Sequence, residues 1–414
     1  MSYGKSLSMN NQELSLYFEL VSLRIQDEMA RLIPRSVLLK RIENRFNYSP
    51  AVLIQGPRQC GKTHLARRFA AGLHAEHFDL ENPADYDRLA QPMTALKHLR
   101  GWVVLDEAQL RPEVFPVLRV LTDREPPPAR FLLLGSASPD LSRGVSESLA
   151  GRVAIISMSG LALSEVGAEP LRALWWRGGL PRSFLAPTDS ESHRWREDFI
   201  QTFLERDLRR YGVQVAPVAL RRFWHMVAHY HGQIWNASEI GRSLGESHTT
   251  VKRNLDILTG ALVMRQLPPW FENLSKRQVK SPKVYLRDSG LLHTLLGISS
   301  FASLESHPKL GASWEGFAME EVLRVTGDQE AYFWATQSGA ELDLLVFLGG
   351  KRFGFEFKYA DAPAVTKSMR IAREDLKLER LFVVAPGDKS YRLEEWAEVV
   401  SIRDLGGRLE GALT

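Results

Sequence analysis

Two hydrophobic rhythms divide this chain. In the first part, short unbroken apolar runs recur between polar stretches: AVLIQ at 51–55, WVVLD at 102–106, FLLLG at 131–135 and VAIISM at 153–158. Runs of that length, bounded by turn residues, predict strands buried on both faces, as in a parallel sheet covered by helices. HLARRFAAGL, directly after the first run, predicts one such helix. In the last quarter the period is two. In KRFGFEFKY, Phe353, Phe355, Phe357 and Tyr359 fall on one face of a strand, and Gly354, Glu356 and Lys358 on the other. Gly349-Gly350 is a good two-residue turn, so ELDLLVFL and KRFGFEFKY predict a β-hairpin in which Asp343 faces Glu356 and Glu341 faces Lys358. FVVAP at 382–386 predicts the next strand.

Between these regions, residues 236–267 predict helix–turn–helix. Asn236 or Ser238 can cap a first helix that Gly245 ends. A second helix places Val251, Leu255 and Leu258 on one face, leaving His248, Thr249, Thr250, Lys252 and Arg253 near its N-terminal, outward side. A recognition helix contacts DNA with that part. The strand KVYLRD, reached through SKRQVKSPK, completes a winged helix whose lysines and arginines suit phosphate contacts. A packing module between subunits has the same grammar. His225, His229 and His231 lack an evident further ligand, so they read as ordinary histidines rather than a zinc site.

Composition adds bounds. A chain of 414 residues calls for two or three domains, and 44% apolar with 25% charged content is that of a soluble globular protein. No run of about 18 uncharged apolar residues occurs, so no membrane span is expected. A single cysteine, Cys60, and no secretory signal suit the reducing cytoplasm. The net charge is only +4, but residues 171–290 hold 19 Lys and Arg against 11 Asp and Glu, a local surplus that suits a polyanion.

Chemistry enters with GPRQCGKT at 56–63, which fits G-x-x-x-x-G-K-[ST] between a strand and a helix. Gly56 and Gly61 let the loop residues Pro57, Arg58, Gln59, Cys60 and Lys62 curl around phosphates, all but Pro57 offering a backbone N–H, with His64 next in the helix. Lys62 is expected to reach the β- and γ-phosphates of ATP, and Thr63 and Asp106 to hold Mg²⁺. Glu107 is the candidate general base. Ser136 or Ser138, at the end of the third apolar run, could sense the γ-phosphate. Arg152 or Arg143 could act as an arginine finger on a neighbouring subunit's ATP, or be plain surface arginines. In the hairpin, Asp343 opposite Glu356 repel each other, which a divalent cation would offset, and Lys358 could stabilise charge on a phosphate.

GPRQCGKT, VVLDEAQ, LLLGSAS and LAGRV, in this order, resemble the AAA+ superfamily. With IPRSVLLKRI, RGGLPRSF, FLERDLRRYG and KVYLRDSGLL, they resemble the bacterial and archaeal ATPases whose AAA core is joined to a conserved C-terminal region of unknown function. The hairpin is similar to the PD-(D/E)XK nuclease superfamily, although Leu342 stands where a proline often precedes the aspartate. In the branch including archaeal Holliday-junction resolvases a helix glutamate completes the site, and WEGFAMEEVLR supplies Glu315.

These resemblances imply an α/β protein of ordered parts. An extension (1–30) precedes an AAA+ core with a parallel sheet (31–165), a helical segment with a winged helix (166–300) and a restriction-endonuclease-like domain (301–414). They further imply ATP and Mg²⁺ as cofactors, a homo-oligomer and no membrane partner. The expected function is ATP turnover coupled to action on DNA, branched DNA such as Holliday junctions among the candidate forms, with Glu315, Asp343, Glu356 and Lys358 as a metal-dependent nuclease site or its inactive remnant. The alternatives are an ATP-dependent assembly switch whose C-terminal domain binds a protein, and a winged-helix regulator with nucleotide as effector.

Overall fold

The computed structural model describes residues 33–137, 139–203, 217–271 and 280–413. The expected N-terminal extension, Ser138, most of FLERDLRRYG and the SKRQV part of the expected wing lie outside the described residues, as does the side chain of Arg143.

The apolar runs become β1 (Ala51–Gly56), β3 (Gly101–Asp106), β4 (Ala129–Ser136) and β5 (Val153–Ser157), joined by β2 (Ala75–Asp79). They form an all-parallel sheet in the order β2-β3-β4-β1-β5. Leu53, Val103, Leu105 and Leu133 pack on one face, and Val52, Ile54, Val104 and Leu132 on the other. Burial on both faces is why the runs of β1, β3 and β4 are continuous rather than alternating. β5, expected to be buried on both faces as well, lies at the sheet edge and buries Ala154 and Ile156 while leaving Ile155 exposed. The carboxyl ends align along one edge, with Gly56 paired to Ser136 and Asp79 to Asp106. Ligands of open parallel sheets bind at that edge.

The core beneath β1 continues into a helix-rich unit, through Phe203, Trp224, Val251, Leu255 and Leu258. Each fully buried side chain of this size contributes roughly 1.5–3 kcal/mol. The unit comprises helix Pro217–His229, β6 (Gln233–Ile234), helices Ala237–Leu244 and His248–Gly260, β7 (Met264–Leu267) and β8 (Lys283–Leu286). Its antiparallel sheet has the order β6-β8-β7. Asn236, not Ser238, caps the first short helix by accepting from the Glu239 N–H, and Gly245 ends it at φ 71°. Ser247 caps the next helix through the Thr250 N–H.

The RGGLP stretch is structural. Asp288 accepts from the N–H groups of Gly179 and Leu180 while capping helix Ser289–Leu295 through Leu291. A Cβ on Gly178, at φ 79°, would lie 2.1 Å from an Asp288 carboxylate oxygen, so only glycine fits.

The C-terminal sheet has the order β13-β14-β12-β11-β10-β9. Its strands are β9 (Ala331–Ala335), β10 (Glu341–Leu348), β11 (Lys351–Phe357), β12 (Arg380–Ala385), β13 (Tyr391–Glu394) and β14 (Ala397–Ser401). β11, β12 and β14 run parallel, and the other pairings are antiparallel. The hairpin turns at Gly349-Gly350, and the ladder runs from Leu348 opposite Lys351 to Leu344 opposite Phe355. Phe353, Phe355 and Phe357 pack beneath helix Leu310–Thr326, while Leu342 and Leu345 face helix Lys367–Leu376. The fold is α/β throughout: a parallel sheet, a helical segment, then a mixed sheet.

Two fully buried neutral histidines hold these parts together. His231 accepts from the Leu286 N–H through Nδ1, so its Nε2–H donates to the Ala312 carbonyl, joining β8 to helix Leu310–Thr326. His293 Nε2 contacts Ser313 Oγ, and its Nδ1 contacts the Trp176 carbonyl. Burial pushes both down to about 3. An unfolded chain with histidines near 6.5 binds more protons than this fold between those values, so stability is intact above pH 6.5 and falls as pH drops toward 3. Melting temperature measured against pH should fall over that window, and less steeply in a His231→Gln variant.

Candidate nucleotide site and C-terminal carboxylate cluster

The loop Gly56–Thr63 sits at the carboxyl edge of the parallel sheet, leading into helix Lys62–Ala70. Gly61 at φ 98° and Gln59 at φ 60° turn the loop tightly onto that helix. Lys62 is buried, its ammonium donating to the carbonyls of Gly56 (3.2 Å) and Pro57 (3.0 Å) and lying 3.4 Å from Ser136 Oγ. Ser136 Oγ in turn donates to Glu107 Oε1 at 3.2 Å. Lys62, Ser136 and Glu107 thus form one hydrogen-bonded chain across β1, β4 and β3.

Glu107 is held in a left-handed backbone conformation (φ 51°) just past β3, an arrangement costly for a non-glycine residue that aims its carboxylate along the sheet edge. The Gln109 side chain donates to the same carboxylate. Asp106 is buried, with its pKa raised by burial and by the nearby Glu107 and Asp79 carboxylates, against a hydrogen bond from Thr63. The carboxylate of Asp106 beside Thr63 fits Mg²⁺, and the N–H groups at the helix N-terminus fit phosphate. His64 is exposed, and Arg58 lies 3.7 Å from Glu81.

Sequence reasoning missed Gln109 and Arg35. Arg35, itself left-handed at φ 51°, donates to the carbonyls of Cys60, Ser159 and Gly160 and pairs with Glu165. Gly160 also accepts from Arg324 of helix Leu310–Thr326, so two arginines meet on one carbonyl behind the loop. No local pattern marks either arginine.

Arg152 lies elsewhere. It precedes β5, whose Val153 pairs with Ala51 at the amino end of β1. Its guanidinium pairs with Asp123. Five residues of β1 separate that end from Gly56, roughly 16 Å at 3.3 Å per residue, so Arg152 does not reach its own phosphate loop.

On helix His248–Gly260, Val251, Leu255 and Leu258 are buried, while Thr249, Lys252 and Arg253 are exposed. Thr250 is half-buried and its hydroxyl pairs with Ser247, which ties it to the cap.

The C-terminal residues gather with an addition the sequence did not signal. Lys358 lies 2.7 Å from Glu356 and 3.7 Å from Asp343, whose other role is to accept from the Phe357 N–H. Glu315 receives the Tyr285 hydroxyl at 2.6 Å. Lys283 of β8 comes between: its ammonium lies 3.5 Å from Glu315, 3.7 Å from Asp343 and in contact with Glu341. Burial, then the Asp343 charge, raises Glu315 to about 7, and the same causes raise Glu356 to about 8. Burial opposes the charge on Lys283, but Tyr285, Glu315, Asp343 and Glu341 outweigh it and hold the ammonium charged. Among the described residues, no three His, Cys, Asp or Glu side chains are placed to hold a metal ion. The carboxylates as arranged fit an ammonium rather than a metal.

Comparison with known proteins matches residues 48–167 to the AAA domain, 168–302 to a domain of unknown function (DUF8612) and 310–405 to another (DUF4143). Fold and loop thus define an AAA-type ATPase domain of P-loop NTPase fold followed by a C-terminal region. The chain is 51% identical over 364 residues, 88% of its length and 82% of theirs, to Uncharacterized protein Rv2008c of Mycobacterium tuberculosis and Uncharacterized protein Mb2031c of Mycobacterium bovis. It belongs to the same family as these mycobacterial proteins. Among solved structures it is similar to the Walker-type ATPase PABY2304 of Pyrococcus abyssi (15% identity, 64% of this chain and 96% of that one, TM-score 0.49). It is also similar to the RuvB Holliday junction branch migration motor of Thermotoga maritima (18% identity, 56% and 87%, TM-score 0.29). Among the described residues no helix is long and apolar enough to cross a membrane.

Proposed function

We propose that this protein hydrolyses ATP at the loop Gly56–Thr63 and couples turnover to the binding or remodelling of DNA. ATP hydrolysis rests on the Lys62–Ser136–Glu107 chain. Lys62 leaves the loop carbonyls for the β- and γ-phosphates, Glu107 accepts a proton from the attacking water, and Ser136 relays the presence of the γ-phosphate between them. Thr63 and Asp106 would hold Mg²⁺, which neutralises phosphate charge when bound.

The observation that carries the DNA reading is the exposed Thr249-Lys252-Arg253 face on the second of two capped helices, in a unit whose order of helices and strands is that of a winged helix. The Gly160 carbonyl, shared by Arg35 at the phosphate loop and Arg324 on the helix that carries Glu315, is a direct route by which nucleotide moves the C-terminal half. Lys252→Ala with Arg253→Ala should weaken duplex binding across sequences and reduce the salt slope of affinity by about 2. Fluorescence anisotropy over a salt series checks this, and unchanged binding would remove this helix from the interface.

The assembly-switch reading, with the C-terminal domain contacting a protein, draws support from Lys283 filling the carboxylate cluster. No cleavage step is assigned to that cluster.

A further inference from the structure

Four carboxylates, those of Glu315, Glu341, Asp343 and Glu356, converge on one end of the C-terminal sheet, and two ammonium groups answer them. The two are not equivalent. Lys358 is local, two residues from Glu356 on the same strand side, and is more than a third exposed. Lys283 arrives from a different part of the chain, with 4% of its side chain exposed and three carboxylates from two elements around its ammonium. Three carboxylates about one buried ammonium carry the negative charge that draws a divalent ion, although with Lys283 in place they are not arranged to ligate one.

The approach of Lys283 is built in on both sides. On the C-terminal sheet, the register of β9 against β10 shifts between Leu342 and Leu345, a bulge that places Asp343 out of the regular alternation. Its carboxylate is then fixed from behind by the Phe357 N–H. On the other side, the chain leaving β7 runs beside β9: the Trp270 N–H donates to the Phe333 carbonyl and the Phe333 N–H to the Pro268 carbonyl. Tyr285, two residues from Lys283 on the same strand face, donates to Glu315. The β7–β8 hairpin therefore docks on the C-terminal sheet by backbone pairing, a hydroxyl and an ammonium together.

We propose that Lys283 is a built-in cation that replaces a divalent metal in this cluster, keeping the C-terminal site metal-free for as long as the β7–β8 hairpin stays docked. Removing a partner from a buried charge group leaves the others uncompensated, so loss of Lys283 leaves a pocket that calls for another cation. The inference concerns occupancy alone and does not require that the domain cleave anything, nor that the phosphate loop turn over ATP.

The test is Mn²⁺ binding to the full-length, nucleotide-free protein, read by electron paramagnetic resonance, with thermal melting alongside. Wild type should bind no Mn²⁺ that Asp343→Asn removes. Lys283→Ala should gain one Mn²⁺ per chain, lost again in Lys283→Ala with Asp343→Asn, and its melting temperature should rise with Mn²⁺ while that of wild type does not. Lys283→Arg, which keeps the charge, should gain none. A folded Lys283→Ala that gains no Mn²⁺ overturns the proposal. So does wild-type Mn²⁺ binding that depends on Asp343, and this arm holds even if Lys283→Ala does not fold. ATP turnover of the wild type, measured separately, tells a failure here from a failure of the ATPase reading.

Discussion

Glu107→Gln should lower ATP turnover by about 10²–10⁴-fold while leaving nucleotide binding intact, the range expected for loss of a general base. The amide keeps the size of the carboxylate and can still meet the Ser136 and Gln109 side chains, so the sheet edge keeps its shape. Binding of a fluorescent ATP analogue and phosphate release, measured on the same preparation, separate the two effects. Binding lost together with turnover would mean that Glu107 holds the loop rather than activating water. The left-handed backbone at Glu107 points the other way, since strain of that kind is retained where a side chain must be aimed.

Arg152→Ala carries the second large expectation: turnover reduced by about 10³-fold or more, as for an arginine finger supplied by a neighbour. Its position at the amino end of β5 rules out help to its own nucleotide, so the loss should be repairable in trans. A mixture with Lys62→Ala chains, themselves inactive, should regain part of the activity, because each Lys62→Ala chain brings an intact Arg152 to a neighbour's intact loop. Exposed pairing with Asp123 leaves the guanidinium able to reorient at an interface. Full activity of Arg152→Ala would leave it a surface arginine, as the sequence alone also allowed.

What could be read from the chain depended on whether its cause was local. β1, β3 and β4 of the parallel sheet were visible because burial on both faces leaves an unbroken apolar run, and β5 because its residues are apolar although Ile155 is exposed. β2 was not, because on this edge strand only Phe78 is buried and AEHFD carries no period. Nor does any residue pattern reveal that β4 lies between β1 and β3, which is a property of chain crossing rather than of composition. The hairpin register was legible because a two-residue glycine turn fixes it, and the ladder pairs Leu344 with Phe355 as that turn requires. Asp343, Glu356 and Lys358 were found through that register. Lys283 was not: it sits 58 residues before its nearest hairpin partner, Glu341, in a strand that reads as part of a wing. Its role comes from docking between two units, which leaves no spacing signal. Arg35 and Arg324 escaped for the same reason, each defined by a carbonyl it reaches across the fold.

The coupling of the nucleotide site to DNA is tested most directly by one measurement: the ATP hydrolysis rate of the full chain alone and with duplex, single-stranded, forked or four-way-junction DNA. Turnover raised severalfold by one of these forms, and not raised in the Lys252→Ala, Arg253→Ala variant, is the predicted result. Hydrolysis that proceeds at the same rate with every form would contradict it.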